Sequence, residues 1–77
     1  MRALEAIQRT AMMRLHAANA HDRVARLHEM LADANIGDVQ EHRDQAATHR
    51  RLAGEDRAAA DVIFRSQHVQ LPESGDS

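Results

Sequence analysis

The stretch ANAHDRVARLHEMLADANIGDVQEHRDQAATHRRLA, residues 18–53, decides the fold, because alanine and histidine alternate in it on both sides of one turn. The members of this ladder are Ala18, His21, Ala25, His28 and Ala32 before the turn, and Val39, His42, Ala46, His49 and Ala53 after it. Steps of three and four residues place each half on one narrow stripe of a helix. The pattern therefore predicts two helices that meet along a close seam of small side chains and imidazoles.

The first helix is expected over about residues 2–34, since neither proline nor glycine interrupts it. It carries a second apolar stripe, rotated by about 100° from the ladder. The members of this stripe are Met13, Ala17, Ala20, Val24, Leu27, Leu31 and Ala34. One antiparallel neighbour covers only one of two adjacent stripes, so the helix needs more than one partner.

A turn at residues 35–37 separates the two helices. Asn35 tolerates the left-handed conformation that ends helices, Ile36 suits a Schellman contact, and Gly37 frees the turn. Asp38 followed by Glu41 resembles a capping box and opens the second helix. Such a short connection predicts antiparallel neighbours, in which positions summing to about 72 or 73 lie level.

The second helix is expected over about residues 38–66. Gly54 is its weak point, since glycine costs about 1 kcal/mol relative to alanine in a helix interior. Glu55 and Asp56 could open a separate short helix after a break there. Residues 68–77 contain Pro72 and are expected to form a flexible tail.

The chain has 77 residues, no cysteine and a single aromatic residue, Phe64. A chain this short needs help from metal or self-association when disulfides are excluded. We therefore predict an all-α antiparallel hairpin that forms a homodimeric four-helix bundle of the coiled-coil kind. The expected interface consists of Val24, Leu27 and Leu31 in the core and of Val62, Ile63 and Phe64 near the open end of the hairpin.

Charge and hydropathy restrict the partners. Residues 1–66 contain ten arginines and ten acidic residues, so the body is neutral although the whole chain carries −2. Nucleic-acid binding depends on a basic face, which makes nucleic acid an unlikely main partner. No run approaches the roughly 20 apolar residues that span a bilayer. The expected location is therefore cytoplasmic, without membrane contact.

The ladder histidines are candidate metal ligands for Zn²⁺, Ni²⁺ or Cu²⁺. His28 and His42 form an upper pair, to which Asp38 could be added, and His21 and His49 form a lower pair, with Gln45 or Asp22 as weaker additions. Each pair offers two strong ligands, fewer than zinc sites usually take, so that a second chain would have to complete them. The alternatives are histidines that serve as structural spacers in the seam, or a pH switch.

No catalytic signature and no cofactor motif is present, and all three serines lie at residue 66 or later. The sequence favours a small non-enzymatic protein-protein interaction module, such as a regulator, adaptor or chaperone-like protein, that binds itself and another protein. The alternative is a histidine-based metal-binding protein. A hairpin dimer that binds duplex RNA is the weaker third possibility.

Overall fold

The computed structural model describes the backbone of residues 2–70 and the side chains of residues 3–66. Two helices of 32 residues each, α1 (Arg2–Asp33) and α2 (Val39–Gln70), pack against each other as an antiparallel hairpin. At about 1.5 Å per residue each helix is roughly 48 Å long. The prediction of an all-α helical hairpin is thereby confirmed.

The turn has the backbone geometry that its residues predict. Asn35 has a φ of 58°, and the N–H groups of Asn35 and Ile36 donate to the carbonyls of Ala32 and Leu31, at 3.0 and 2.9 Å. This pair of hydrogen bonds is the Schellman motif. Gly37 follows with a φ of 72°. The left-handed residues reverse the chain within five positions and place α2 beside α1.

Asp38 caps α2. Its Oδ1 accepts a hydrogen bond of 3.0 Å from the N–H of Glu41, which satisfies one of the backbone donors that a helix start leaves open. The Glu41 carboxylate instead accepts a hydrogen bond from the side chain of Gln45. Only the Asp38 half of the expected capping box is therefore formed.

Gly54 does not interrupt α2, which is one continuous helix. A penalty of about 1 kcal/mol at one position is small beside the packing of a long helix against a neighbour. Asp56 accordingly lies within α2 and does not begin a new helix. The helix also extends to Gln70, past the expected end near residue 66, and the first proline is Pro72. The rest of the predicted tail, residues 71–77, lies outside the described residues.

Alanines form the core of the hairpin. The buried apolar residues are Ala11, Ala18, Ala25, Ala32, Ala46, Ala53 and Ala60, each exposed by 4% or less. They recur every seven residues on both helices, so each falls on the same stripe. In the described residues no large side chain is fully buried. The ladder is therefore the line of contact between α1 and α2, as the sequence predicts.

No helix within residues 2–70 combines the length and the apolar character needed to cross a membrane.

Candidate functional site

The four ladder histidines meet in two pairs across the seam. The Nδ1 atoms of His21 and His49 lie 2.8 Å apart, and those of His28 and His42 are separated by the same distance. The ring centroids within the pairs lie 5.0 and 5.1 Å apart. The sequence predicts these partners, but it places them two to three residues apart along the axis. The imidazoles meet in the predicted pairs, and the axial offset stays a prediction.

Complementary side chains explain how α1 and α2 are aligned along their length. Paired positions sum to 70, and the same sum joins Arg14 to Asp56, whose Nη1 and Oδ1 atoms lie 2.8 Å apart. Because the seam positions repeat every seven residues on both helices, one alignment brings all three polar layers together. A shift by one or two residues would separate an ion pair and two imidazole pairs at once.

Asp56 is the buried charged residue of the seam, with 8% of its surface exposed. Besides Arg14, it faces His21, whose Nε2 lies 3.9 Å from Oδ2. The carboxylate favours a proton on that Nε2, since a neutral imidazole carries its single proton on either nitrogen. The Nδ1 lone pair of His21 is then directed at His49.

The two histidine pairs also contact each other. The rings of His28 and His49 are stacked, with centroids 6.2 Å apart and planes inclined by 11°. One polar row thus runs along the seam from Arg14 through Asp56 and the four imidazoles. Gly37 lies at its far end, because a Cβ built on that residue would be 3.1 Å from the Nε2 of His42.

The three additional ligands suggested by the sequence each make another contact. Asp38 caps α2, and the side-chain amide of Gln45 donates to Glu41. Asp22 accepts a hydrogen bond of 2.6 Å from Arg57. In the part of the chain that the structure describes, no group of three or more histidine, cysteine or acidic side chains is arranged to hold a metal ion. Each histidine pair therefore offers two protein donors.

One side of the hairpin is joined by ion pairs. Arg50 donates two hydrogen bonds to Glu29, at 2.7 and 2.8 Å, and Arg57 binds Asp22. The hydrogen bond from Arg57 lowers the pKa of Asp22, and the hydrogen bond from Arg50 lowers the pKa of Glu29. These ion pairs close this side of the seam with charge.

The other side of the hairpin is apolar and uncovered. We use the name apolar face for the second stripe of α1 together with the apolar residues of α2 on the same side of the seam, Leu52, Ala59 and Val62. Gln45, Thr48 and Glu55 occupy the same heptad positions of α2. Met13, Leu27 and Val62 are 69%, 53% and 62% exposed, whereas Val24, Leu31 and Leu52 are half-buried. The hairpin thus has one side closed by ion pairs and one side of exposed aliphatic groups.

The six predicted interface residues do not all share that face. Val24, Leu27, Leu31 and Val62 belong to it by their heptad positions. Ile63 occupies the seam stripe, seven residues beyond Asp56, and is half-buried. Phe64 is 40% exposed and occupies the heptad position of Arg50 and Arg57, on the ion-paired side.

The Arg14–Asp56 layer is absent from the set of sites that the sequence predicts. A signal is present, since both residues continue the three-and-four spacing of the histidines in their own helix. The position of Asp56 just after Gly54 favours its interpretation as a helix start, and that interpretation excludes it from the ladder.

Comparison with known proteins places no external constraint on the site. No protein family, curated protein or solved structure was found to match this chain. The function therefore has to be inferred from the geometry of the seam and of the apolar face.

Proposed function

We propose that this chain is a small non-enzymatic interaction module that acts as a homodimer, two hairpins joining through their apolar faces into a four-helix bundle. One observation carries the proposal: among the described side chains the buried apolar residues are all alanines, while Leu27 and Val62 remain more than half exposed.

Energetics favour a second copy as the occupant of this face. A buried Leu or Val contributes about 1.5–3 kcal/mol relative to an exposed one, whereas alanine offers a single methyl group. The alanine seam lets the backbones approach closely but removes little apolar area from water. Pairing two apolar faces buries the larger side chains of both chains and forms the second core that a small domain lacks.

The ion-paired side of the hairpin indicates that a partner binds on the opposite, apolar side. The carboxylates of Asp22 and Glu29 are matched by Arg57 and Arg50, so that side meets water without an uncovered apolar group at these layers. A helix pair that is charged on one side and apolar on the other buries the apolar one. The apolar face includes both helices, as a two-fold symmetric contact between hairpins requires.

Charges at the rims of the apolar face select one arrangement of the two hairpins. By heptad position, Arg9 and Arg23 border the apolar stripe of α1, whereas Glu41 and Glu55 share the heptad position of Val62 on α2. A two-fold axis parallel to the helices sets α1 over α2 of the partner and brings opposite charges to the same edge. The alternative, α1 over α1 of the partner, brings like charges together. We therefore propose the first arrangement.

Partners other than a second copy are proposed to be proteins. Described arginines that form ion pairs with carboxylates are Arg14, Arg43, Arg50, Arg51, Arg57 and Arg65. Each such pair reduces the charge that phosphates would meet, so duplex RNA stays the less favoured ligand.

Sedimentation velocity tests the proposal. Wild-type protein is expected to sediment as a dimer, and Leu27→Glu is expected to weaken the dimer at least about tenfold, because it places a charge in the apolar contact. Met12→Glu is the matched control, since Met12 is 48% exposed and Leu27 53%, but Met12 lies outside the apolar face. A folded wild-type monomer, or equal effects of both variants, would contradict the proposal.

A further inference from the structure

The two histidine pairs of the seam have a chemistry that self-association through the apolar face does not use. Each pair joins α1 to α2 through two Nδ1 atoms 2.8 Å apart. At this distance one imidazole donates its N–H and the other accepts with an unprotonated nitrogen. Each pair therefore holds one proton between two nitrogen lone pairs, within a single chain.

We propose that each pair is a chelating site for a divalent transition-metal ion, in which the metal replaces the shared proton and links α1 to α2. Neutral imidazole nitrogen is a common protein ligand for Cu²⁺, Ni²⁺ and Zn²⁺. Binding shifts the shared proton, by exchange with solvent, to the Nε2 of the same imidazole, because a metal-bound Nδ1 carries no proton and a neutral imidazole keeps one N–H.

Distances within each pair suit this exchange. Metal–nitrogen bonds of about 2.0–2.1 Å place two ligands about 2.9 Å apart at a right angle and about 3.3 Å apart at the tetrahedral angle. The observed Nδ1 separation of 2.8 Å then has to widen by about 0.1–0.5 Å. The imidazole rings also have to turn so that both lone pairs converge on the ion.

The surrounding seam holds the donors in place. The buried residues Ala18 and Ala53 flank the His21–His49 layer on one side, and Ala25 and Ala46 flank it on the other, in the same heptad register. Long helices on both sides fix the backbone, so only side-chain rotation is needed. Preorganisation of this kind lowers the cost of assembling a bidentate site.

The lower pair is the stronger of the two sites. Asp56 lies 3.9 Å from the Nε2 of His21, where its charge favours a proton on Nε2 and leaves Nδ1 available to the metal. The upper pair is more constrained, since the Nε2 of His42 lies under Gly37 at the turn. Within this row the carboxylate of Asp56 is also paired with Arg14.

The number and type of donors select the metal. Two imidazoles per site leave the remaining positions to water, since no third strong ligand joins either pair among the described residues. Such a site follows the general order of affinity, in which Cu²⁺ binds more tightly than Ni²⁺ or Zn²⁺. A tetragonal Cu²⁺ ion also accepts two nitrogens at a right angle, the arrangement that requires the smallest opening of the pair.

Calorimetric titration of the full chain with CuCl₂ at pH 7.5 tests the number of sites. Wild-type protein is expected to bind two ions per chain. The double variants His21→Gln with His49→Gln, and His28→Gln with His42→Gln, are each expected to bind one, and the quadruple variant none. His16→Gln, which alters an exposed histidine of α1 outside the seam, is the matched control and should still bind two.

A second measurement on the wild-type chain does not depend on the folding of variants. Paramagnetic Cu²⁺ at substoichiometric amounts is expected to broaden the imidazole NMR signals of the four seam histidines before those of His16. Acidification to pH 5 should release the ion, because protons compete for the same nitrogens. Broadening that begins at His16 or at the chain ends would overturn the proposal. So would an absence of Cu²⁺ binding by wild type, or unchanged stoichiometry in the folded quadruple variant.

Discussion

Arg14 on α1 and Asp56 on α2 form an ion pair of 2.8 Å in the same row as the histidine pairs, and Asp56 is the buried charged residue of that row. The side chain of Arg14 is 53% exposed and that of Asp56 11% exposed. Water therefore reaches the arginine but hardly reaches the carboxylate. The cost of breaking the pair depends on which partner is left behind.

Removal of Arg14 alone should be more harmful than removal of both partners. Arg14→Leu leaves a buried carboxylate without its hydrogen bond, and we expect a loss of about 1–3 kcal/mol in the free energy of unfolding. The double variant Arg14→Leu with Asp56→Leu should recover most of that loss, because an apolar pair of similar size has no desolvation cost. Urea unfolding at one protein concentration measures this double-mutant cycle. Additive losses would contradict the pairing.

Enlarging one seam alanine should separate the helices. Ala25 is 0% exposed, and Ala25→Leu adds three carbon atoms where the backbones meet. We expect a loss of about 1–3 kcal/mol in the free energy of unfolding. Ala47→Leu is the control at an exposed position of α2, where a change within about 0.5 kcal/mol is expected. Equal effects at the two positions would show that the seam is not closely packed.

The two described glycines within the hairpin should respond in opposite directions to alanine. Gly54 lies in α2, and nothing lies within 4 Å of the place that a Cβ would take, so Gly54→Ala should raise the free energy of unfolding by about 1 kcal/mol. Gly37 has a φ of 72°, and a Cβ there would meet the Nε2 of His42 at 3.1 Å. Gly37→Ala should therefore destabilise the hairpin. Thermal unfolding followed by circular dichroism at 222 nm compares the two variants with wild type.

Acid should weaken the ion-paired side of the hairpin. The pKa values of Asp22 and Glu29 are lowered in the folded chain, mainly by hydrogen bonds from Arg57 and Arg50. As pH falls, the unfolded chain takes up protons first, at the ordinary pKa values of 3.8 for Asp22 and 4.5 for Glu29. The stability that these carboxylates contribute is therefore fully present above those values and is lost as pH falls through the lower pKa values of the folded chain.

The matched variants for this effect are Asp22→Asn with Glu29→Gln, and Glu5→Gln as a control on an exposed carboxylate. The double variant should show a shallower decline of unfolding free energy between about pH 5 and pH 2, whereas the control should retain the wild-type slope. A double variant that declines as steeply as wild type would mean that these ion pairs do not contribute to stability.

Local sequence signals are sufficient to predict the two helices of the hairpin and the turn between them. The Schellman turn at Asn35 and the cap at Asp38 each depend on one residue type at one position, and both form as expected. The identity of the histidine partners also follows from the heptad spacing. The contact distances within the pairs do not, because heptad spacing does not determine side-chain rotamers. The Arg14–Asp56 pair, a contact distant in sequence, is consistent only with the observed register.

Other features cannot be derived from spacing alone. The continuity of α2 through Gly54 depends on the balance between a local penalty and packing along the whole helix, which the sequence pattern does not measure. Phe64 and Ile63 are adjacent to Val62 in sequence, yet helical geometry turns the three onto different faces. The uncovered apolar face becomes apparent only when the exposure of Leu27 and Val62 is compared with that of the alanine seam.

The concentration dependence of thermal unfolding tests most directly whether two hairpins form one folding unit. When folding is coupled to dimer formation, the midpoint temperature rises with protein concentration. Over a hundredfold concentration range, monitored at 222 nm, we expect the midpoint of the wild-type chain to rise by several degrees and that of Leu27→Glu to rise less. A cooperative transition of the wild-type chain at the same temperature throughout that range would contradict the proposed dimer.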